Sequence, residues 1–349
     1  MAYIIIDGSS MLSTNYYGTL PREMLFAKTE EEKEKLYHKI MQSPDGKYTN
    51  GVFTSLKQIL FMIKQQKPDG IVVVLDRSRN TFRRELYAEY KAQRSSTPAP
   101  LKEQFCTFEE VLREMGIPVY SSDRYEADDL AGAIAKRLEG EGKKSVIISG
   151  DKDLYQLVSL DISLWRIIPS TAKEKYERVY NINFDEYTSA NNLPIGIFEV
   201  KYGDGVIAEG EIVDLMPEQF VDYLAVVGDK SDNVPGVDRV GPKTIIPLLK
   251  EYGSLRNIYS AIHFAEKNGK SKELAAEWKN KLGIKVNPIN AFLKNEENAW
   301  LSQKLAKIDA DIDEIPGEAE VYDLSINKEG LEWVVEKYAF ESIRGLIEN

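Results

Sequence analysis

Short apolar runs that stop at an aspartate are the feature of this sequence that most restricts its fold. Three such runs, rich in β-branched residues, are YIII (3–6) before Asp7, IVVVL (71–75) before Asp76, and SVIIS (145–149) before Gly150 and Asp151. Residues 52–65 and 127–138 lie between these runs and place apolar side chains at helical spacing. Strands that alternate with helices predict an α/β fold whose central sheet is mostly parallel and flanked by helices.

The aspartates at the ends of these runs are expected to converge, because the carboxyl ends of parallel strands form the edge where ligands bind. Six more acids lie in the same motif as Asp151 and in two further motifs: Asp153, then Glu126, Asp128, Asp129, Asp229 and Asp232. Placement at a helix N-terminus accounts for one or two of them, but so many close carboxylates repel one another without cations. Oxygen ligands without cysteine or histidine suit Mg²⁺ or Mn²⁺. The sequence therefore predicts a two-ion centre of the kind that hydrolyses phosphodiesters.

Composition excludes several other classes of site. The chain has 349 residues, one cysteine (Cys106) and two histidines (His38 and His263), which excludes an internal disulfide, a cysteine-based zinc site and a multi-histidine metal site. A net charge of −11 argues against a generic basic nucleic-acid binder. The apolar runs are shorter than the ~20 residues of a membrane span. The N-terminus lacks a basic signal-peptide start, so we expect a cytoplasmic protein.

Two further motifs each allow two interpretations. GVDRVGPKT (236–244) nearly matches a phosphate-binding P-loop, but Pro242 interrupts the pattern and no apolar strand precedes it. Two short helices joined by a glycine-containing turn fit better, and backbone N–H groups there would hold phosphates. FRRELYAEYKAQR (82–94) interleaves cations with aromatic residues, which suits an ordinary amphipathic helix or a segment that grips phosphates and stacks on bases.

Six motifs in a consistent order resemble those of the structure-specific 5′-nucleases, which include flap endonucleases, free-standing bacterial and phage enzymes, and the 5′-nuclease domain of bacterial DNA polymerase I. They are IIIDGSS (4–10), VVVLD (72–76), FRRELYAEYKAQR (82–94), YEADDLAGAIAKR (125–137), ISGDKDLYQLV (148–158) and VVGDKSDNVPGVDRVGPKT (226–244). LSQKLAKID (301–309) is a weaker match. The resemblance implies a flap endonuclease and 5′–3′ exonuclease of DNA replication and repair, which cleaves near the 5′ end of flapped, nicked or primer-bearing duplexes.

The resemblance also implies roles for individual residues. The metal-binding acids of the family fall on Asp7, Asp76, Glu126, Asp128, Asp129, Asp151, Asp153, Asp229 and Asp232. The catalytic residues it implies are Asp153 together with Lys91 and Arg94, which would contact the scissile phosphate. The predicted DNA contacts are Arg83 and Arg84 of the basic segment, Tyr90, for which the resemblance implies stacking on a displaced base, and Gly236, Arg239, Gly241, Lys243 and Thr244 of the turn. The cofactors it implies are two Mg²⁺ ions, for which Mn²⁺ would substitute, and a K⁺ ion held by main-chain carbonyls at a helix-three-turn-helix.

The predicted organisation has two units. They are an α/β core at 1–216, with a helical arch at about 82–115, and a helical DNA-binding region at 217–349, with a helix-three-turn-helix at about 221–260. Residues 19–48 and 170–211 are insertions without a counterpart in the family, the second an elaborated loop or small hairpin. Thr14 stands where bacterial members carry an arginine, which puts one phosphate contact in question. Because the chain is too short for polymerase or proofreading domains, we expect a free-standing monomer that acts on DNA or RNA–DNA primers and not at a membrane.

Two alternatives belong to other classes. A non-catalytic DNA-binding scaffold would have a degenerate site, but all nine acids are present. A haloacid-dehalogenase-type phosphatase would also carry an aspartate after the first strand. That chemistry needs a second aspartate two residues later, where this chain has Ser9.

Overall fold

A six-stranded sheet forms the centre of the molecule. The computed structural model describes residues 2–194, 196–315 and 322–346. The strands are β1 (Tyr3–Asp7), β2 (Gly70–Asp76), β3 (Val119–Ser122), β4 (Ser145–Ser149), β5 (Ile162–Ile167) and β6 (Ile197–Val200), arranged in the order β3-β2-β1-β4-β5-β6. The first five run parallel and β6 runs antiparallel to β5. The predicted α/β fold with a mostly parallel central sheet is confirmed.

The helices of the α/β unit pack on both faces of this sheet. In chain order they are α1 (Gly8–Gly18), α2 (Arg22–Phe26), α3 (Glu30–Glu34), α4 (Asn50–Gln66), α5 (Phe82–Leu86), α6 (Ala99–Glu114) and α7 (Ala127–Gly140). Successive strand residues point to opposite faces. Ile4 and Ile6 therefore join one core with α1, α4 and α6, whereas Tyr3 and Ile5 join another with α7. Both faces are covered, as is usual for parallel sheets.

The segment predicted as a loop or hairpin at 170–211 has more regular structure than expected. It contains α8 (Lys173–Tyr180), α9 (Phe184–Ala190), strand β6, and a hairpin formed by β7 (Val206–Ala208) and β8 (Glu211–Val213), which reaches two residues beyond the predicted segment. Strand β6 pairs with β5, and the rings of Tyr180 and Phe198 lie 4.0 Å apart. Contacts between distant aromatic residues thus order a polar segment and bring α8 close to the edge of the sheet.

The remaining helices form the second half of the chain. They are α10 (Gln219–Val227), α11 (Pro242–Tyr252), α12 (Leu255–Lys267), α13 (Ser271–Leu282), α14 (Ile289–Lys294), α15 (Glu296–Ala306) and α16 (Lys328–Tyr338). Helix α10 packs against the 3₁₀ helix Asp153–Leu157, where the rings of Tyr155 and Phe220 lie 5.7 Å apart. None of the described helices is both long enough and apolar enough to cross a membrane.

Helix α16 returns to the first unit, although it lies within the predicted second unit. Val334 and Val335 join the core of α6 beside Phe108, and the Asn327 N–H donates to the Met115 carbonyl at 2.9 Å. The boundary at 216/217 stays a prediction, and residues 316–321 and 347–349 of the predicted second unit lie outside the described residues.

Candidate active site

A crevice of about 1180 Å³, lined by both acids and cations, opens at the carboxyl edge of the parallel sheet. Five of the predicted metal-binding acids line it: Asp7, Asp76, Glu126, Asp128 and Asp151. They come from the ends of β1 and β2, the start of α7 and the loop after β4. The topology thus brings together acids that lie up to 144 positions apart in the sequence.

Asp7 is held in place by its neighbours on both sides. Its carboxylate caps α1 by accepting the Ser10 N–H at 2.9 Å, and the Ser149 hydroxyl donates to it at 2.6 Å. The turn into α1 needs Gly8, because an added Cβ would lie 2.5 Å from Val73 Cγ1. Burial, followed by the charge of Asp76, raises the pKa of Asp7 to about 7. A negative charge here is therefore unfavourable until a cation balances it.

Asp128 and Asp76 complete this part of the crevice. Burial, and then the charges of Asp151 and Asp7, raise the pKa of Asp128 well above its usual range. Asp76 accepts the Ala127 N–H at 2.9 Å, which anchors the start of α7 to the end of β2. Ser9 stands where a haloacid-dehalogenase-type phosphatase would need its second aspartate. Its hydroxyl accepts the Asp76 N–H at 2.8 Å. Its hydroxyl therefore serves to position β2.

A second group of acids surrounds the 3₁₀ helix that begins at Asp153. Asp153 Oδ1 is buried and has no hydrogen-bond partner among the described residues. Burial, and then the charge of Asp151, raise the pKa of Asp153 well above its usual range. Asp229 is held by the Ser231 hydroxyl at 2.6 Å and by Lys152 Nζ at 3.3 Å.

The donor set fits a divalent cation that prefers oxygen ligands. Among the described residues, no three aspartate, glutamate, histidine or cysteine side chains are arranged closely enough to coordinate one metal ion. Mg²⁺ does not require such an arrangement, because it binds through one or two carboxylates and keeps several waters. The unpartnered oxygen of Asp153 and the raised pKa values of Asp7 and Asp128 are what a site for such ions would show.

Two cations of the predicted arch lie directly on this acidic surface. Lys91 Nζ lies 2.9 Å from Glu126 Oε2 and 3.6 Å from Asp232 Oδ2. Arg94 Nη2 lies 2.5 Å from Asp232 Oδ1. The segment is not one continuous helix, because α5 ends at Leu86 and Lys91 has a positive φ of 54°. A turn at 87–93 presents both cations to the acids.

Arg83 is buried in this structure, and its predicted DNA contact stays a prediction. Its side chain is buried, forms two hydrogen bonds to Asp129 at 2.6 and 2.7 Å, and donates to the carbonyls of Leu305 and Lys307. Asp129 is fully buried in this pair, and its predicted metal binding also stays a prediction. Its oxygens also accept the N–H groups of Glu126 and Asp309. The pair joins α5 to α7 and to the weakly matching motif 301–309.

Tyr90 is buried in this arrangement, and its predicted stacking on a displaced base stays a prediction. Tyr90 is 3% exposed and packs against Val234 and Leu305. Its hydroxyl lies 3.2 Å from Glu126 Oε2. The ring of Tyr90 thus packs the turn at 87–93 against the second half of the chain.

The other predicted DNA contacts occupy two places. Arg84 lines the crevice. The remaining five lie in or beside the turn between α10 and α11: Gly236, Arg239, Gly241, Lys243 and Thr244. Gly236 has a positive φ of 69°, and its N–H donates to the Ser302 hydroxyl at 2.9 Å. Arg239 and Lys243 are exposed. Their roles stay predictions.

Sequence analysis missed several residues of the crevice. Arg77, Arg79, Lys102, Lys152 and Arg166 also line it. Arg166 had a recognisable signal, because it is a charged residue within the otherwise apolar strand ISLWRI. The arginines at 77 and 79 had none, since isolated cations in a loop are ordinary solvated residues.

Models of one family match most of the chain. Residues 2–187 match the model described as 5′-3′ exonuclease, N-terminal resolvase-like domain, and residues 215–329 match 5′-3′ exonuclease, C-terminal SAM fold. A 5′-3′ exonuclease of Aquifex aeolicus (strain VF5) is 30% identical over 313 residues, covering 87% of this chain and 91% of that protein. DNA polymerase I of Streptococcus pneumoniae (strain ATCC BAA-255 / R6) is 34% identical over 310 residues, which are 88% of this chain but 28% of the polymerase.

Solved structures share the fold at lower identity. T5 5′-exonuclease with divalent metal ions (zinc) bound has a TM-score of 0.58 and 19% identity, covering 97% of this chain and 100% of that one. The catalytic core of Rad2 in complex with a DNA substrate has a TM-score of 0.52 and 14% identity, covering 100% and 92%. These likenesses support the α/β architecture described above.

Proposed function

The chain belongs to the 5′-3′ exonuclease family, and we propose that it is a divalent-metal-dependent, structure-specific 5′-nuclease. Its substrates would be flapped, nicked or primer-bearing duplexes of DNA replication and repair, cleaved near the 5′ end. The observation that carries this proposal is the crevice at the carboxyl edge of the sheet, with Lys91 and Arg94 facing its acids.

Two groups of acids would hold the ions. The first is Asp7, Asp76, Asp128 and Asp151, and the second is Asp153 and Asp229. Glu126 and Asp232 lie between the groups and the arch, where they pair with Lys91 and Arg94. Two divalent ions bound there would supply Lewis-acid activation of the attacking water and stabilisation of the leaving oxygen. Mg²⁺ is the proposed ion and Mn²⁺ its substitute, since all the donors are carboxylates.

Lys91 and Arg94 would orient the scissile phosphate and stabilise its developing charge. Fixed cations aimed at the reacting group act most strongly where water is excluded, and the Lys91 side chain is only 21% exposed. Lys91 and Arg94 pair with Glu126 and Asp232 in this structure, so that on binding a phosphate each cation would exchange its carboxylate partner for the phosphate. This exchange limits the energy of binding while keeping the cations in position.

The nucleic acid would be held by local cationic surfaces, because the whole chain is acidic. Arg77, Arg79, Arg84 and Lys102 line the crevice on the side of the predicted arch. The turn at 236–244 adds exposed Arg239 and Lys243 for duplex backbone, with K⁺ as a further candidate there. Such phosphate contacts weaken steeply with salt. Thr14, on the crevice wall, is a weaker phosphate partner than an arginine.

Product mapping on a double-flap substrate labelled at its 5′ end tests the proposal. We expect wild type to require Mg²⁺ or Mn²⁺ and to cut close to the flap junction. Asp153→Asn should lose most of the cleavage and still bind DNA. Asp185→Asn is the matched control, because Asp185 is exposed on α9 and pairs with Lys173. No cleavage by wild type with several divalent ions, or equal cleavage by Asp153→Asn, would refute the proposal.

A further inference from the structure

Arg166 is a buried cation without a matching anion. It lies near the carboxyl end of β5 and is 4% exposed. Its Nη2 donates to the Tyr176 hydroxyl at 3.2 Å. Its Nε and Nη1 are buried and have no hydrogen-bond partner among the described residues. No carboxylate of the described residues lies within ion-pair distance of the Arg166 guanidinium.

This arrangement is energetically unfavourable as it stands. A guanidinium does not lose its proton in a protein, and an uncompensated buried charge costs several kcal/mol. Arg83 shows what full compensation looks like in the same fold, with Asp129 and two carbonyls around its guanidinium. An arginine buried without such partners points to an anion that binds from outside the chain.

The position of Arg166 relates this anion to the active site. Arg166 lies opposite Ser149 in the β4–β5 register, and Ser149 donates to Asp7. Since β5 is two strands from β1, Arg166 and Asp7 are separated by about 10 Å along the edge of the sheet. Both line the same crevice. A nucleic-acid strand with its scissile phosphate at the acids would pass close to Arg166.

The surroundings of Arg166 suit a phosphate. Its guanidinium carbon lies 5.8 Å from the Tyr155 ring centroid, and the hydroxyls of Tyr155 and Tyr180 lie 2.7 Å apart. Tyr176 and Tyr180 belong to α8. A planar guanidinium with free N–H groups binds phosphate through two parallel hydrogen bonds. The Tyr176 hydroxyl, which accepts from Arg166 Nη2, lies where it can donate to the same phosphate.

We propose that Arg166 and the Tyr176 hydroxyl form a phosphate-binding subsite on the β5 side of the crevice, which takes a phosphate of the substrate strand one or two nucleotides from the scissile bond. The proposal rests on the proposed nuclease function for the identity of the strand. Phosphate binding by the subsite does not depend on that function, because inorganic phosphate has the same chemistry as a phosphate of the strand.

Thermal unfolding with inorganic phosphate tests the subsite without any cleavage assay. Wild type should gain about 2–4 °C more than Arg166→Met at phosphate concentrations well above the dissociation constant. Without phosphate, Arg166→Met should be as stable as wild type or more so, because an apolar side chain replaces an unpaired buried charge. Arg178→Met, which removes an exposed arginine of α8, should respond like wild type.

Kinetics with modified flap substrates tests the source of the phosphate. Arg166→Met should raise KM about tenfold with kcat little changed. Replacing one backbone phosphate near the cut by a neutral methylphosphonate should raise KM for wild type but not for Arg166→Met. A phosphate effect on unfolding with unchanged KM would overturn the assignment to the substrate strand. It would leave a site for free phosphate instead.

Other outcomes overturn the subsite itself. Equal phosphate responses of wild type and Arg166→Met would do so, as would a phosphate-free Arg166→Met that melts several degrees lower with normal KM. If Arg166→Met does not fold, Arg166→Gln is measured in the same way, and failure of both shows a purely structural arginine. If wild type cleaves no substrate, the proposed function fails, while the unfolding experiment still decides the subsite.

Discussion

Arg83 and Asp129 form a buried, bidentate ion pair with N–O distances of 2.6 and 2.7 Å. It connects the short helix that follows β2 with the first turn of α7. Because Arg83 also donates to the carbonyls of Leu305 and Lys307, the pair fastens the end of α15 to α5 and α7. An arginine and an aspartate from two site motifs thus hold the site together without lining its acidic surface.

Arg83→Met should lower the free energy of unfolding by about 3–5 kcal/mol, because it leaves the Asp129 carboxylate buried without its partner. Urea denaturation measures this loss. Arg84→Met, at the next residue, should cost less than about 1 kcal/mol, since among the described residues Arg84 bonds only Asn80, at 3.3 Å. The double variant Arg83→Met/Asp129→Leu should recover much of the loss. Similar losses for Arg83→Met and Arg84→Met would contradict the structural role.

Asp153→Asn should change how the protein responds to divalent ions. The mutation removes a buried carboxylate whose raised pKa shows that its charge is disfavoured without a cation. The variant should therefore be as stable as wild type or more stable in EDTA. It should gain less in melting temperature than wild type when Mg²⁺ is added. Equal Mg²⁺ responses of Asp153→Asn and Asp185→Asn would show that Asp153 does not hold the ion.

Lys91→Ala should reduce kcat by about 10²–10³-fold with a smaller change in the dissociation constant for DNA, because a fixed cation counts most at the reacting phosphate. Single-turnover cleavage and binding measured in Ca²⁺ separate the two effects. Lys102→Ala, which removes an exposed cation from the same crevice, is the control and should mainly weaken binding. A pure loss of affinity in Lys91→Ala would refute the role at the reacting phosphate.

Glu110 should make the stability of the C-terminal helix depend on pH. Hydrogen bonds from Lys337 at 2.5 Å and Tyr338 at 3.0 Å connect α16 to α6, and the bond from Lys337 lowers the pKa of Glu110 below its usual 4.5. A lowered carboxyl pKa adds stability that is present above about pH 4.5 and is lost as the pH falls through the folded-state value. Glu110→Gln should lose this acid-side component in melting experiments from pH 3 to pH 7. Glu273→Gln, at an exposed site on α13, should keep it.

Much of the fold and of the acidic centre could be predicted from local pattern. Apolar runs such as YIII predict strands, and the aspartate after each run marks its carboxyl end, where parallel topology brings the ends together. Segment 170–211 could not be predicted in this way. Its order comes from contacts such as Tyr180 with Phe198, which join weakly patterned stretches across the edge of the sheet.

The sequence by itself determined the α/β class, the carboxylates at the strand ends and the family. Only the tertiary structure decided what each charge does. Arg83, Lys91 and Arg166 are all cations near acidic motifs, yet one is an internal counter-ion, one faces Glu126, and one is buried without an anion. The physical reason is that the role of a charge depends on burial and on the nearest opposite charge. The partners of Arg83 lie 46 and 222 residues away along the chain.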